Sequence, residues 1–243
     1  MPATRITDYL LFLKDLGSSG ANYFLEGGQA VNFWAEYFSA KGAGKVLEPF
    51  QPFTSKDCDV WASYAALQYL RSKKEGRLIA GSSPADGQVG VFVIDGSPKV
   101  TINIMTNVYG IPQARLKQLM ERSLAIQGIR VIDPIFLFVS KCHCLLGLDQ
   151  TDRQDEKHLR ILRFLIPEHF KGLIEEAIAG HLTQRALINE LKLLQTILKT
   201  NRVKRALQRI NSDPADLIPL KQLEQSGLLK VARFSKTAYG SEQ

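Results

Sequence analysis

Apolar residues follow two different spacings along this chain, and the change comes near its middle. Up to residue 132, short apolar runs alternate with stretches in which apolar residues recur every three to four positions. From Pro134 onward the helical spacing continues almost throughout. Short apolar runs between turn residues are typical of strands, and longer periodic stretches are typical of helices. The pattern therefore predicts an α+β protein, with an α/β domain over residues 1–132 and a helical domain over residues 133–243.

Turn and capping residues give the approximate limits of the elements. Strands are predicted at residues 23–25, 57–61, 89–94, 100–105 and 129–132. Helices are predicted at residues 7–16, 30–38, 62–74, 112–128, 134–146, 152–165, 170–179, 183–210 and 217–229. Pro167 is expected to stop one helix, and residues 41–52 are expected to be a loop. Asp95-Gly96 lies between two apolar runs, which predicts an antiparallel hairpin.

Composition restricts the class of protein. The chain has 243 residues, of which 45% are hydrophobic and 23% are charged, as in an ordinary globular protein. Its three cysteines form no disulfide framework, which favours a reducing compartment. The apolar run near the N-terminus is short and is closed by Lys14 and Asp15, so neither a signal peptide nor a membrane span is expected. We expect a cytoplasmic protein that does not act on a membrane.

The basic charge adds an expectation about partners. The formal net charge of +7 favours an anionic partner, either a nucleotide or a nucleic acid, although many soluble proteins are mildly basic for no specific reason. Five basic residues cluster towards the C-terminus, at Lys199, Arg202, Lys204, Arg205 and Arg209. They form either a solvated helix face or a surface that contacts the phosphates of RNA, such as tRNA, or of DNA. Few aromatic residues lie among them, so stacking on single-stranded bases is not indicated.

Residues 23–61 carry the most informative motif. A short strand leads into Gly27-Gly28, a helical stretch follows, and Asp57 and Asp59 come later with one residue between them. Alternate residues of a strand share a face, so the two carboxylates are expected to point the same way. Paired carboxylates near a glycine turn at a helix N-terminus could hold a metal-bound triphosphate. The simpler alternative is a tight turn and an exposed strand face.

The segments Leu25-Glu26-Gly27-Gly28-Gln29-Ala30-Val31 and Thr54-Ser55-Lys56-Asp57-Cys58-Asp59-Val60 resemble those of the nucleotidyltransferase superfamily, which has the DNA polymerase β-like fold. They are most similar to small bacterial nucleotidyltransferases related to abortive-infection toxins. The resemblance implies a mixed sheet with flanking helices. It also implies transfer of a nucleoside monophosphate from an NTP to RNA or protein. Asp57 and Asp59 would bind catalytic Mg²⁺ or Mn²⁺, and Gly27 and Gly28 would bind the nucleotide phosphates.

One expected acid is missing. Active members of the superfamily generally carry a third metal-binding carboxylate on a later strand, and the matching position here is Asn103. Asp95 could substitute for it, but the Asp-Gly context favours a turn. The chain is therefore either a slow or conditionally active enzyme in which Asn103 takes part in catalysis as a weak ligand, or a weakened copy. The weakened copy would act as a nucleotide-binding or regulatory module, for instance in a toxin–antitoxin or phage-defence setting.

Residues in the helical half complete the predicted site. The resemblance places Lys141 and Asp155 at the nucleotide by their order in the chain, with Arg153 and His158 as further candidates. Ordinary helix-surface and first-turn charges are the alternative. Cys142, His143 and Cys144 are adjacent on a helix and point in different directions, so they cannot bind one metal ion together, and the cysteines are expected to face the core. Cys58 is expected to face the core on the opposite side of the sheet from Asp57 and Asp59.

Overall fold

The computed structural model describes residues 3–81, 87–94 and 100–239. Contacts divide the chain into two compact units, Met1–Ile161 and Leu162–Gln243. The boundary that the sequence suggested, after residue 132, lies inside the first unit. The reason is that the helix that follows this point packs against the helix after the Gly27-Gly28 turn.

The first unit contains a seven-stranded sheet. Its strands are β1 (Tyr23–Glu26), β2 (Cys58–Ala62), β3 (Gly76–Ala80), β4 (Gln88–Ile94), β5 (Val100–Met105), β6 (Leu124–Ile126) and β7 (Ile129–Val131). They lie in the order β3-β4-β5-β2-β1-β7-β6. β2 pairs parallel with β5 and β1 with β7, while β1–β2, β3–β4, β4–β5 and β6–β7 are antiparallel. The predicted α+β class with a mixed sheet is confirmed.

Helices connect the strands of the first unit and flank the sheet. They are α1 (Leu10–Ser18), α2 (Gly27–Phe38), α3 (Gly44–Leu47), α4 (Tyr64–Ser72), α5 (Leu116–Arg122), α6 (Pro134–Gly147) and the start of α7 (Asp155–Ile178). The Ser63 hydroxyl caps α4 by accepting from the backbone N–H of Ala66. Asp133 caps α6 in the same way, and Pro134 occupies its first position, where no backbone donor is needed.

Helix α2 is held in the core by its apolar residues. Val31, Trp34 and Ala35 are fully buried or nearly so, and the indole N–H of Trp34 donates to the carbonyl oxygen of Ile132 over 3.0 Å. Burial of such large side chains is the main favourable contribution to folding. The N-terminus of α2 is consequently fixed at the end of β1, where the chain turns at Gly27.

The second unit is helical within the described residues. It contains the rest of α7, then α8 (Gln184–Leu198), α9 (Asn201–Arg209), α10 (Leu220–Gln225) and α11 (Leu229–Tyr239). Pro167 was expected to end a helix, but α7 continues through it. Leu162, Leu165, Ile166 and Phe170 around it are fully buried, and this packing outweighs the loss of one backbone hydrogen bond. Of the residues described, no helix combines the length and the hydrophobicity that crossing a bilayer requires.

Several other local predictions differ from the structure. The single helix predicted over residues 183–210 is divided, because Thr200 takes an extended conformation before α9 begins. Helical turns occupy much of residues 41–52, where a loop was expected. The strands β3 and β6 were not predicted. The antiparallel pairing of β4 with β5 is as expected, but the connecting residues Asp95 to Pro98 lie outside the described part of the chain.

Candidate functional site

Three neighbouring strands place a row of polar side chains on one face of the sheet. Glu26 of β1 is paired with Asp59 of β2, and Asp59 is in turn paired with Asn103 of β5. Phe24 and Trp61, which lie two residues along the same strands, stack with ring centroids 5.0 Å apart. Because side chains alternate along a strand, Cys58 lies on the other face, where it is fully buried as expected.

Asn103 is linked directly to Asp59. Its side-chain nitrogen donates to Asp59 Oδ1 over 2.9 Å, and its oxygen accepts from Gln88 Nε2 over 3.3 Å. The sequence suggested that Asn103 would offer an oxygen to the site. The structure instead turns its N–H towards the acid and its oxygen towards Gln88. Asn103 therefore orients the Asp59 carboxylate as a hydrogen-bond donor.

The two glycines are enclosed by side chains of the site. Gly27 has a φ of +68°, and a Cβ built on it would lie 2.2 Å from Asp59 Oδ2. A Cβ on Gly28 would lie 2.4 Å from Ser55 Oγ and 2.8 Å from His158 Cε1. Glycine is thus needed at position 27 for both conformation and space, and at position 28 for space. It also leaves the first backbone N–H groups of α2 close to the acidic row.

Desolvation governs the charge of the acids. It raises the pKa of Asp59, and the hydrogen bond from Asn103 partly offsets this effect. Burial raises the pKa of Glu26 well above its ordinary value, the neighbouring Asp59 raises it further, and Lys141 opposes them. Oε1 of Glu26 has no hydrogen-bond partner among the described residues. Asp57, immediately before β2, is exposed.

An ion-pair cluster forms another part of the cavity wall, with Lys141 and Asp155 buried and Arg153 exposed. Lys141 Nζ lies 2.8 Å from Asp155 Oδ1, and Arg153 Nε lies 2.5 Å from Asp155 Oδ2. Burial opposes ionisation of Asp155, but Lys141 and Arg153 hold its pKa well below the ordinary range. The cluster carries two positive charges and one negative charge, so it presents a net positive charge to the site.

All the predicted site residues come together in one cavity of about 580 Å³. Its lining includes Gly27, Gly28, Asp57, Asp59, Asn103, Lys141, Arg153, Asp155 and His158. It also includes Glu26, Ser55 and Gln88, to which the sequence analysis assigned no role. Glu26 is brought into the site by the antiparallel pairing of β1 with β2. The sequence does not show which strands are neighbours, so it could not reveal this role. Cys142 and Cys144 are buried, as expected, and Cys144 reaches the cavity wall.

A divalent cation is compatible with the donors at this site. Over residues 3–81, 87–94 and 100–239, no three His, Cys, Asp or Glu side chains converge as a ready-made metal centre. Mg²⁺, however, commonly binds one or two carboxylates and completes its shell with substrate phosphates and water. Asp57 and Asp59 supply such a pair. Oδ2 of Asp59, the oxygen not bonded to Asn103, lies beside Gly27.

Comparison with known proteins adds no assignment. No protein-family model matches the chain, and no curated protein matches its sequence significantly.

Proposed function

We propose that this protein is a Mg²⁺- or Mn²⁺-dependent nucleotidyltransferase that moves a nucleoside monophosphate from an NTP to a hydroxyl of RNA or protein. One observation carries the proposal. Asp57 and Asp59 line the same cavity as the glycine turn at the N-terminus of α2 and the positive charges of Lys141 and Arg153. Acids for a metal, backbone donors and fixed cations are the three features that nucleotidyl transfer requires at one place.

The chain's own residues have distinct tasks in this proposal. The N–H groups at the start of α2 bind phosphate oxygens, since a helix N-terminus favours anions. Lys141 and Arg153 balance the negative charge of the polyphosphate, and Asp155 keeps both cations in place. Asn103 orients the Asp59 carboxylate through its N–H. Lys141 and Asp155 are buried, and burial strengthens the electrostatic interactions that they make.

Asp57 and Asp59 are the residues that would hold the metal. When bound, the ion would neutralise charge on the transferring group and on the departing pyrophosphate. The three cysteines of the chain are free and buried, which is consistent with the reducing cytoplasm that we propose as its location.

A second candidate function follows from Asn103. A site with an amide in place of the third acid retains nucleotide-binding features but has less charge with which to activate an attacking hydroxyl. The protein would then be a nucleotide-binding or regulatory module without turnover, for instance in a toxin–antitoxin or phage-defence setting.

Incubation with labelled NTPs, Mg²⁺ or Mn²⁺, and total RNA or protein tests the first function. We expect label transfer by the wild type, and a fall of about a hundredfold or more in Asp57→Asn/Asp59→Asn, because the acids that hold the metal are lost. Glu121→Gln, an exposed site on α5, is the matched control and should transfer label normally. Transfer that survives the double substitution would rule out the proposed mechanism.

Asn103→Asp separates the two candidates in the same assay. An increase over an already measurable rate supports a slow enzyme. If the wild type transfers no label and the variant gains transfer, the natural protein is the binding module.

A further inference from the structure

His158 is an unusual residue of the first unit because its imidazole is buried without hydrogen bonds. The residue is 3% exposed, and neither ring nitrogen has a partner among the described residues. Burial, together with nearby Lys141, lowers the pKa of His158 well below its ordinary value, so the ring is neutral and carries one N–H. Buried polar groups are almost always paired in native proteins, and an orphaned one indicates a missing partner.

The position of the ring indicates where that partner binds. His158 Cε1 lies 2.8 Å, and Ser55 Oγ 2.4 Å, from the point where a Cβ of Gly28 would stand. The two side chains therefore flank Gly28, at the N-terminus of the twelve-residue helix α2, and both line the cavity. The backbone of Ser55 is fixed by two hydrogen bonds with Thr4, of 2.8 and 3.0 Å.

The chemistry of this corner suits an anionic oxygen ligand. The first turn of α2 offers backbone N–H groups, Ser55 offers a hydroxyl, and the neutral His158 offers an N–H. These donors carry no formal charge, while Lys141 is close enough to influence the pKa of His158. Uncharged donors at a helix N-terminus are the usual components of a phosphate-binding site.

We propose that His158 and Ser55, with the first turn of α2, form a pocket that binds one phosphate group of a polyphosphate chain. The His158 N–H and the Ser55 O–H donate to its oxygens, and no covalent bond is made. This inference rests on the proposed function, because it names further residues that recognise the phosphates of the same donor nucleotide. It also explains why Gly28 can carry no side chain: a Cβ would occupy the gap between the two donors.

Titration calorimetry with inorganic tripolyphosphate and Mg²⁺ tests the pocket without nucleoside or acceptor. His158→Leu keeps the approximate size of the ring but removes the donor, so the affinity should fall roughly tenfold to a hundredfold. The same variant should have a melting temperature about 2–4 °C higher than the wild type, because an unpaired polar group leaves the core. His158→Gln restores an N–H donor and should recover part of the affinity. Exposed His181→Leu is the control and should change neither quantity.

The possible results decide the question. If His158→Leu melts at a lower temperature and binds tripolyphosphate as well as the wild type, the ring is structural and the proposal is wrong. If the variant loses affinity for an RNA oligonucleotide or for AMP but not for tripolyphosphate, the pocket binds the phosphate of RNA or of a nucleoside monophosphate instead of a polyphosphate. The proposal is then also wrong. The label-transfer assay tests the proposed function separately. If tripolyphosphate binding depends on His158 but the protein transfers no label, the pocket is supported and the proposed function is not. If the protein transfers label but His158→Leu does not change tripolyphosphate binding, the proposed function is supported and the pocket is not.

Discussion

The protonation of Glu26, the acid at the end of β1, is determined by its neighbours. Glu26 is 6% exposed, is paired across the strands with Asp59, and immediately precedes the Gly27 turn. Two acids side by side in a desolvated place do not readily ionise together, and the proton is held on the more buried of them. Burial and the neighbouring Asp59 raise the pKa of Glu26 well above its ordinary value, so Glu26 is the acid of this pair that holds its proton more strongly.

This arrangement predicts how stability changes with pH. Glu26 in the unfolded chain ionises near its ordinary pKa of 4.5, whereas the folded protein holds that proton to higher pH. The folded state then binds more protons, so the free energy of unfolding falls as pH rises above about 4.5. The fall is limited to about 1.4 kcal/mol per pH unit.

Glu26→Gln removes that dependence. Urea unfolding at pH 5 and at pH 8 gives the free energy of unfolding of both proteins. The value for the variant minus the value for the wild type should be larger at pH 8 than at pH 5. Glu75→Gln, at an exposed site, should show no such increase. A constant difference between the Glu26 variant and the wild type across this range would contradict the assignment.

At the scale of elements, Asp155 joins α6 to the start of α7. It accepts from Lys141 of α6 and from Arg153, and it is the first residue of α7, where an acid also favours the helix dipole. Breaking a buried ion pair by removing one partner is costly because the other charge remains buried and unpaired.

Asp155→Asn should therefore lower the free energy of unfolding by about 3–5 kcal/mol at neutral pH. Glu156→Gln is the matched control, since it removes the neighbouring exposed pair with Arg160, and it should cost about 0.5 kcal/mol or less. Urea unfolding of both variants gives the comparison. Similar losses in the two variants would show that the Asp155 cluster contributes no more than a surface ion pair.

The elements also show which features a sequence can reveal. The burial of Cys58 on the face opposite to Asp59 follows from strand alternation, which is local, and was predictable. The place of Asn103 beside Asp59 was expected only from the family resemblance, because it depends on the pairing of β2 with β5. The role of Glu26 depends on which strands are neighbours, and that is decided by tertiary packing. The same applies to α7: the local rule that proline ends a helix is correct for isolated helices, but the buried residues around Pro167 reverse it.

At the scale of the whole molecule, positive charge is unevenly distributed along the chain. Residues 191–212 contain six Lys or Arg residues and no Asp or Glu. All six are exposed, and the polar side of α9 consists of Asn, Gln, Lys and Arg. A surface with this composition attracts phosphates, and its contribution to nucleic-acid binding should depend on salt.

Fluorescence anisotropy with labelled RNA over a range of salt concentrations measures that contribution. The wild-type affinity should fall as salt rises, and Lys204→Gln/Arg205→Gln should reduce the slope of log K against log salt by about 1.4, at about 0.7 for each phosphate of a single strand that is no longer neutralised. Lys221→Gln/Lys236→Gln removes the same charge from other exposed positions of the same unit and should alter the slope less. If the protein binds no RNA, or if its RNA binding does not depend on salt, the prediction is wrong and the basic residues of α9 form an ordinary solvated helix face.

The hydrogen bond from Asn103 to Asp59 also bears on the order in which the site is assembled. An acid at position 103 would repel Asp59 until a cation came between them, whereas the amide attracts it. Strands β2 and β5 can therefore close during folding without waiting for an ion. In the proposed function, a cation held by Asp57 and Asp59 would share its ligands with the substrate phosphates, so it would be part of the incoming ligand and not of the folded protein.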